Sequence, residues 1–474
     1  MALMKNIFLF LIILLGLPSE ILSQKKWTLQ ECIEYAQKNN VGIKLAEINA
    51  EISKVSLQQS KAAVLPTLNA GANHTYNIGR TIDRYTNTFA NSTVLSQNFF
   101  MATQVTLWSG MSQYNQIKQN EFTYQANKAG IEQQKNDLAL NVATVFLQVI
   151  YNEELNKVAE AQVKTSREQL ERTKKMVESG SVAKSTELDV NAQLANDEFT
   201  FTGTKNNLEL SLLSLKQLLL LDSVNTFAIE KPILSDLNAD IMSLNVSDIY
   251  QSALKNQPSI KSSELNIKSA EKGLAVSRGR ISPTLSLTGS VGTGYSGLAK
   301  DITGFNITGY DTTAVTTGGQ FVLSPVFETV TKEKTFADQF KDNVNKSIGF
   351  SLNVPLFNGL SNYSSIKIAK YRILSAKYSL DQSKQQLYRT ISQAYADAKA
   401  SLNKFEAAKK ALEASKESFK VNEQKFNVGS LSSFDYSNAR NRNFRAEADV
   451  LNAKFDYIFK LKVLDFYQGK PLTF

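Results

Sequence analysis

One histidine and one cysteine, His74 and Cys32, limit the chemistry open to this chain of 474 residues. A structural zinc site takes about four Cys or His ligands, so none can be assembled, and a disulfide within one chain is impossible. A Ser-His-Asp or Cys-His nucleophile would have to use His74. That residue alternates with Ala70, Ala72 and Tyr76, which places it on an apolar strand face as an interfacial side chain rather than a base. Gly292-Thr293-Gly294-Tyr295-Ser296-Gly297 fits G-x-G-x-x-G. It follows a strand but opens a loop, and without a helix N-terminus behind it there is no phosphate cradle. Asp and Glu are abundant, yet spacing marks no pair as acid and base, and solvated helix faces account for them. Cys32 follows Glu31 well past the N-terminal apolar run, so it reads as a structural thiol, not a lipid attachment. The sequence thus predicts no catalytic residue, no metal and no cofactor. A carboxylate-dependent enzyme lacks any supporting site, which leaves a binding module or a structural assembly.

Charge narrows this further. Lys and Arg number 53 against 44 Asp and Glu, a net charge of +9. The excess is dispersed, with Lys174-Lys175 and Lys409-Lys410 set among Glu and Ser. Dispersed charge solvates a face and does not make a nucleic-acid groove. Met1 to Ser23 has the form of a secretory signal, with Lys5 ahead of an apolar run from Ile7 to Leu17 and the small Ser23 at its end. The run is shorter than the roughly 20 residues that span a bilayer. No later stretch is long and apolar enough, since Glu209, Lys216 and Gln217 interrupt the best one, Leu208 to Leu221. An exported chain of this kind is either soluble or crosses a membrane as a β-barrel.

The elements that carry these residues come twice. Ala36, Lys38, Asn39, Ile43, Lys44, Glu47 and Asn49 recur at one offset as Ala253, Lys255, Asn256, Ile260, Lys261, Glu264 and Asn266. Pro66-Thr67-Leu68 recurs at the same offset as Pro283-Thr284-Leu285. At a larger offset Trp108-Ser109-Gly110 recurs as Phe357-Asn358-Gly359, and Gly180-Ser181 as Gly429-Ser430. Extra residues must therefore be absorbed between Leu285 and Phe357. The expected division is a signal peptide over 1–23, a first repeat over 24–221, an inter-repeat segment over 222–245, a second repeat over 246–467 and a short tail over 468–474. Segment 298–345 is expected to be a long loop, and 78–96 its shorter counterpart.

Each repeat reads helix, strand, loop, strand, very long helix, tight turn, helix. Leu285, Leu287 and Val291 alternate with Ser286, Thr288 and Ser290, and Ile348, Phe350, Leu352 and Val354 alternate with Gly349, Ser351 and Asn353. Phe99, Met101 and Val105 line one face of a strand over 96–107. Such alternation marks a sheet with a different solvent on each face. No Pro falls in 109–221 or 360–467, which supports unbroken helix. Ile391, Ala398, Phe405, Leu412, Phe419 and Phe426 recur every seven residues, matched by Val142, Val149, Asn156, Val163, Leu170 and Val177. A seven-residue seam calls for coiled-coil packing, within a hairpin or against a neighbour. Length matching predicts helices over 28–63 and 185–221 lying end to end beside 109–179, and helices over 246–280 and 433–466 beside 360–427.

Four apolar-faced strands cannot stand alone in lipid. An open sheet leaves edge groups unsatisfied at several kcal/mol each, and membrane barrels need about eight strands. Several chains must contribute. Two would enclose a plugged interior and three, with twelve strands, a channel, and the Asn, Ser, Thr and Gly faces favour a wet lumen. Trp108, Phe357, Tyr76 and Tyr295 lie near strand ends and suit the aromatic girdles of a membrane interface. Gly180 and Gly429 end the long seams, as helix C-caps that take positive φ. The competing class is a periplasmic coiled-coil adaptor or scaffold without a barrel, which the alternating strands oppose.

On the duplication, the Pro66 and Pro283 joints, the Trp108-Ser109-Gly110 and Phe357-Asn358-Gly359 ends and the two tip turns, the chain resembles the TolC-like outer-membrane efflux protein family. The resemblance spans about 27–468. It implies a mostly α fold with a membrane β-barrel: a homotrimer whose long α-helical hairpins form a periplasmic α-barrel and whose four strands per chain form a twelve-stranded barrel in outer-membrane lipid. It implies passive conduction from an inner-membrane pump through a periplasmic adaptor, in a tripartite efflux or type I secretion system of a Gram-negative bacterium. By the same resemblance the tips dock the adaptor through Gly180, Ser181, Val182, Gly429, Ser430 and Leu431. Asp435 would form an acidic constriction, with Asp189 close to the equivalent place in the first repeat. A dipole-stabilising role for Asp435 at a helix start is the competing reading. The family's equatorial region would correspond to 222–245 and the tail, both short here.

Overall fold

The computed structural model describes residues 26–91, 93–221, 227–232 and 244–472. The expected signal peptide, most of the inter-repeat segment and the last two residues of the tail lie outside them. The described chain forms two compact units: one within 26–53, 123–267 and 375–472, the other 54–122 and 268–374. Each unit thus takes a piece from each sequence repeat. The first is helical and the second carries the membrane-type sheet.

In chain order the elements are β1 (Lys26–Trp27), α1 (Leu29–Asn39), α2 (Val41–Ala62), β2 (Thr67–Asn77), β3 (Arg80–Ile82), β4 (Phe89–Asn91) and β5 (Val94–Trp108), then α3 (Ser112–Glu178), α4 (Lys184–Leu219) and β6 (Ala228–Ile229). The second repeat gives α5 (Val246–Asn256), α6 (Pro258–Gly279), β7 (Thr284–Ser296), β8 (Lys300–Val315), β9 (Phe321–Glu333), α7 (Phe336–Asp342), β10 (Asn345–Asn353), α8 (Ser361–Asn427) and α9 (Ser433–Tyr467).

Two expected single helices are broken, at the same place in each repeat. Asn40 turns extended after α1, and its side chain accepts from the Ile43 amide, restarting the chain as α2. Gln257 turns extended before Pro258, which opens α6. Proline disfavours helix in the residue before it and suits the first helical position. Nothing comparable interrupts α3 or α8, each 67 residues long.

In the helical unit the short helices do lie end to end beside each long one. Gln37 donates to the Lys135 carbonyl at 3.2 Å and Asn127 to Ser53 Oγ at 2.5 Å. Farther along α3, Asn152 donates to the Asn207 carbonyl at 3.2 Å and Arg167 pairs with Glu198 at 2.9 Å. The second repeat repeats this along α8, with Ser263 beside Ser383 and Ser401 donating to Asp456 at 2.8 Å. The heptad seam faces its own hairpin. Val142, Val149, Ile391 and Ala398 are fully buried, Phe405 stacks on Tyr457 and Phe426 on Tyr436. At the one polar seam position Asn156 accepts from Thr204 of α4. The seams feed two mid-hairpin cores. One gathers Cys32, Ile33, Val142, Phe146, Leu215 and Phe455, the other Ile249, Ile260, Ile391, Tyr457 and Leu464. Burial, with Glu31 beside it, pushes the Cys32 thiol up to about 12, as a structural thiol requires.

The sheet unit holds one four-stranded antiparallel sheet in the order β10-β7-β5-β2, leaving β10 and β2 as edges. Its register keeps one polar and one apolar face. Asn73 stands opposite Asn98 and Asn98 opposite Gly294, while Ala72 faces Phe99, Met101 faces Val291 and Leu287 faces Phe350. His74 is on the apolar row, opposite Gln97, which bonds its ring at 2.8 Å.

Segment 298–345 is not a loop. It holds the β8–β9 hairpin and α7, and 78–96 likewise contains the small β3–β4 hairpin and the start of β5. Asp83 anchors that smaller segment. It is buried, accepts from the Tyr85 and Thr86 amides at 2.8 and 2.9 Å, and takes a short bond from the Ser296 hydroxyl. Burial alone would raise its pKa, but these donors outweigh it and hold the carboxyl below its ordinary range.

Both strand-to-helix corners use the same backbone. Gly110 and Met111 have φ 60° and 61°, and Gly359 and Leu360 have 60° and 65°. The glycines differ in surroundings. A Cβ on Gly110 would come within 2.5 Å of the Gly279 carbonyl, whereas one on Gly359 meets nothing. Gly110→Ala should therefore cost about 2–4 kcal/mol and Gly359→Ala about 1–2 kcal/mol. Thermal unfolding of the two solubilised variants measures the difference, and equal losses would contradict the close approach.

Candidate functional site

The tips of the two long hairpins follow from one local rule. Gly180 and Gly429, at φ 70° and 77°, end α3 and α8. Ser181 and Ser430 amides bond back to the Met176 and Lys425 carbonyls at 2.9 Å, while the glycine amides bond to Val177 and Phe426. This is the Schellman pattern, in which positive φ selects glycine. A Cβ at either glycine would meet nothing within the chain, so backbone conformation and not packing demands it. Ser181, Gly180, Gly429 and Ser430 are exposed, and Val182 and Leu431 are half-buried beside them.

Asp435 lies in the first turn of α9 and is bonded to the N-cap, Ser432. Its amide donates to Ser432 Oγ at 3.1 Å and its carboxylate accepts from the same hydroxyl at 2.7 Å. The residue is exposed. Asp189 accepts from Ser433 Oγ at 3.0 Å, tying α4 to the start of α9.

Asp189 is the first of a row. Gln193, four residues on, bonds Asn441 at 3.3 Å. Asp197, four further, pairs with Arg440 at 2.5 Å. Arg440 also donates to Ser166 Oγ of α3 at 2.5 Å, and Ser166 in turn bonds Asp197. Arg440, Asp197 and Ser166 are all buried. This clasp joins the two hairpins of one chain near their tips. Sequence reasoning missed Arg440, Asp197 and Ser166. The only local signal was the four-residue polar spacing of 189, 193 and 197.

The sheet supplies the second site. Ile348, Phe350 and Leu352 of β10 are 83%, 72% and 65% exposed on one face, alternating with Ser347, Gly349 and Ser351 on the other. Trp108 and Phe357 sit at the end where the long helices begin, and Tyr76 and Tyr295 at the other. An irregularity between Thr106 and Trp108 shifts the register so that Trp108 stands opposite Leu285, on the apolar face. Tyr295 is only half open, because Phe336 of α7 lies 5.7 Å from its ring. One aromatic breaks the polar face. Phe100 lies over Gly71, where a Cβ would come within 2.6 Å of its ring.

An amphipathic sheet with open edges, followed by paired coiled-coil hairpins and repeated in sequence, is a specific combination. The sequence matches the outer membrane efflux protein family over residues 32–219 and 249–469. The chain belongs to that family. It is an outer-membrane efflux channel of Gram-negative type and not an enzyme. Solved structures agree in fold. The chain is similar to CusC, whose crystal structures describe conformational changes in folding and transmembrane channel formation, at TM-score 0.73 and 15% identity over 94% of this chain and 92% of that one. It is similar to the Campylobacter jejuni CmeC outer membrane channel at 0.69 and 17%, over 96% and 90%. It is similar also to the open state of the Neisseria gonorrhoeae MtrE outer membrane channel at 0.70 and 19%, over 94% and 89%. No curated protein matches it by sequence. The family membership favours the outer-membrane efflux reading over a periplasmic adaptor or scaffold.

Proposed function

We propose that three copies of this chain close one twelve-stranded barrel, continued by helical hairpins that dock a periplasmic adaptor and, through it, an inner-membrane pump. The observation that carries this reading is the four-stranded sheet with one apolar face, one polar face and two free edges, β2 and β10. Its edge groups need partners in lipid, and β10 of one copy against β2 of the next supplies them without a new element. The polar faces then line a wet pore, and conduction is passive. The open glycine faces of the tips let a partner's backbone approach. Asp435, with Asp189 behind it, adds negative charge near each tip, so three copies would favour cations there.

Detergent-extracted protein should be a threefold particle that conducts ions in a planar bilayer. Asp435→Asn should reduce its cation preference. Gly180→Leu combined with Gly429→Leu should abolish efflux and adaptor cross-linking while the trimer persists. A monodisperse monomer without conductance would end the trimer reading, and intact efflux from the double leucine variant would end the docking reading.

A further inference from the structure

The β8–β9 hairpin carries a repeat that alternation alone hides. Asp301-Ile302-Thr303-Gly304-Phe305, Asn306-Ile307-Thr308-Gly309-Tyr310 and Asp311-Thr312-Thr313-Ala314-Val315 form three pentads in β8. Opposite them, β9 advances four residues at a time, through Val330, Val326 and Val322. The mismatch is absorbed by register shifts at Ile302/Gly304, Ile307/Gly309 and Thr312/Ala314, so one threonine bulges from each pentad. Each bulged threonine hydroxyl donates across the ribbon, Thr303 to the Val330 carbonyl at 3.2 Å, Thr308 to Val326 at 3.4 Å and Thr313 to Val322 at 3.3 Å.

The bulge decides which way side chains point. Five residues per repeat would swap the faces at every repeat, because strand side chains alternate. Removing one residue from the pairing leaves an even number, and the faces stay constant. The cross-strand pairs show the result: Ile307 stands opposite Phe327, Thr312 opposite Leu323 and Val315 opposite Phe321, with Phe305 and Tyr310 on the same side. The other face carries Asp301 opposite Lys332, Asn306 opposite Glu328 and Asp311 opposite Ser324, with the smaller Val330, Val326 and Val322 opposite Gly304, Gly309 and Ala314 between them. Phe305, Tyr310, Phe321 and Phe327 are 63%, 64%, 71% and 57% exposed. An isolated two-stranded hairpin is at best marginally stable in water, and a continuous exposed apolar face marks an interaction surface.

We infer that the apolar faces of three such ribbons, one from each copy, pack on one another at the outer mouth of the channel. This rests on the trimeric reading above. From β9 the chain runs through α7 directly into β10, the edge strand that a neighbouring copy completes, so the ribbons rise from one rim beside the subunit boundaries. Charge opposes a lipid surface as the cover. An element lying on anionic lipid carries Lys and Arg on its polar face, whereas the polar face of this ribbon has Asp301, Asp311 and Glu328 against Lys332, and the Lys300–Glu333 pair closes the base of the apolar face. Pro325 and the bulges interrupt strand addition along its edges, so the contact is face to face.

The test uses the full-length chain in outer membranes with Cys32→Ala. Single cysteines are placed on the apolar face, as Tyr310→Cys or Phe327→Cys, and on the polar face, as Asn306→Cys. Copper-catalysed oxidation or a short bis-maleimide should cross-link the apolar-face variants into dimers, which should also resist a membrane-impermeant maleimide in membranes and in detergent. Asn306→Cys should label freely and not cross-link. Native mass measurement of each variant separates the two readings. Trimers whose Tyr310→Cys and Phe327→Cys neither cross-link nor resist labelling would overturn the ribbon contact alone. Protection that vanishes in detergent, without cross-linking, would overturn it in favour of lipid. Absence of trimers would overturn both.

Discussion

Arg440→Ala should destabilise the helical unit by about 3–5 kcal/mol, the usual cost of removing one partner from a buried ion pair. Arg440 and Asp197 are 3% and 6% exposed. Without the guanidinium, the Asp197 charge keeps only the Ser166 hydroxyl and the Gln193 amide, which reaches it at 2.9 Å. Two neutral donors do not offset the loss of hydration and of a cation at contact distance. Arg440→Lys should recover little, because a single ammonium cannot engage both Ser166 and Asp197 as the guanidinium fork does. The pair itself is not optimal, since Arg440 Nε has no hydrogen-bond partner among the described residues. Arg440→Met with Asp197→Leu should therefore regain most of the stability, as apolar replacements of buried pairs commonly do. Denaturant or thermal unfolding of the three variants beside the unaltered chain measures each change, and limited proteolysis at the tip turns reports local loosening. A neutral Arg440→Ala would show that the clasp holds nothing. The functional consequence follows from position. α3, α4 and α9 meet at this cluster, so it sets the spacing of the two tip turns that the proposed docking requires.

The contrast between this clasp and the rest of the molecule shows what the sequence could reveal. The long helices were legible because Ile391, Ala398 and their seven-residue successors impose one period over many turns, and no proline contradicts it. The sheet was legible because β7 and β10 alternate without interruption. The tips were legible because positive φ at a helix end selects glycine. Arg440 and Asp197 were not, since their pairing joins residues 243 apart and neither sits in an unusual local context. The helix breaks at Asn40 and Gln257 were weak signals, and the second was passed over although Pro258 marks it. The ribbon was missed for a different reason. A test for strict alternation fails at each bulged threonine, and the five-against-four match becomes visible only once β8 and β9 are laid beside each other. Asp435 shows the reverse case, because it stands in the first turn of α9, where the dipole-stabilising role weighed against the gate would place it, and its exposure is equally compatible with the proposed acidic ring.

Phe350→Arg should prevent assembly in the outer membrane, and Ser351→Arg, one residue on, should not. Phe350 lies near the middle of β10, opposite Leu287, on the face that carries Ile348 and Leu352. A cation on the lipid face of a barrel costs about 2–4 kcal/mol at mid-membrane. In a threefold barrel that cost enters three times, which is comparable to the whole stability of a typical domain. β10 is also an edge strand, so a distortion there acts on the seam where the next copy must pair. Ser351 points the other way, opposite Ser286, among hydroxyl groups. An arginine there remains hydrated in the proposed pore and should leave the trimer intact while lowering cation conductance. Quantifying trimers in isolated outer membranes, followed by bilayer recording of Ser351→Arg, tests both halves. If Phe350→Arg assembled as well as the unaltered chain, the apolar face would not be the lipid face. If Ser351→Arg assembled but left conductance and ion preference unchanged, the polar face would not line the pore. The two substitutions are adjacent and introduce the same side chain, so any difference between them reports the direction in which the strand points and nothing else.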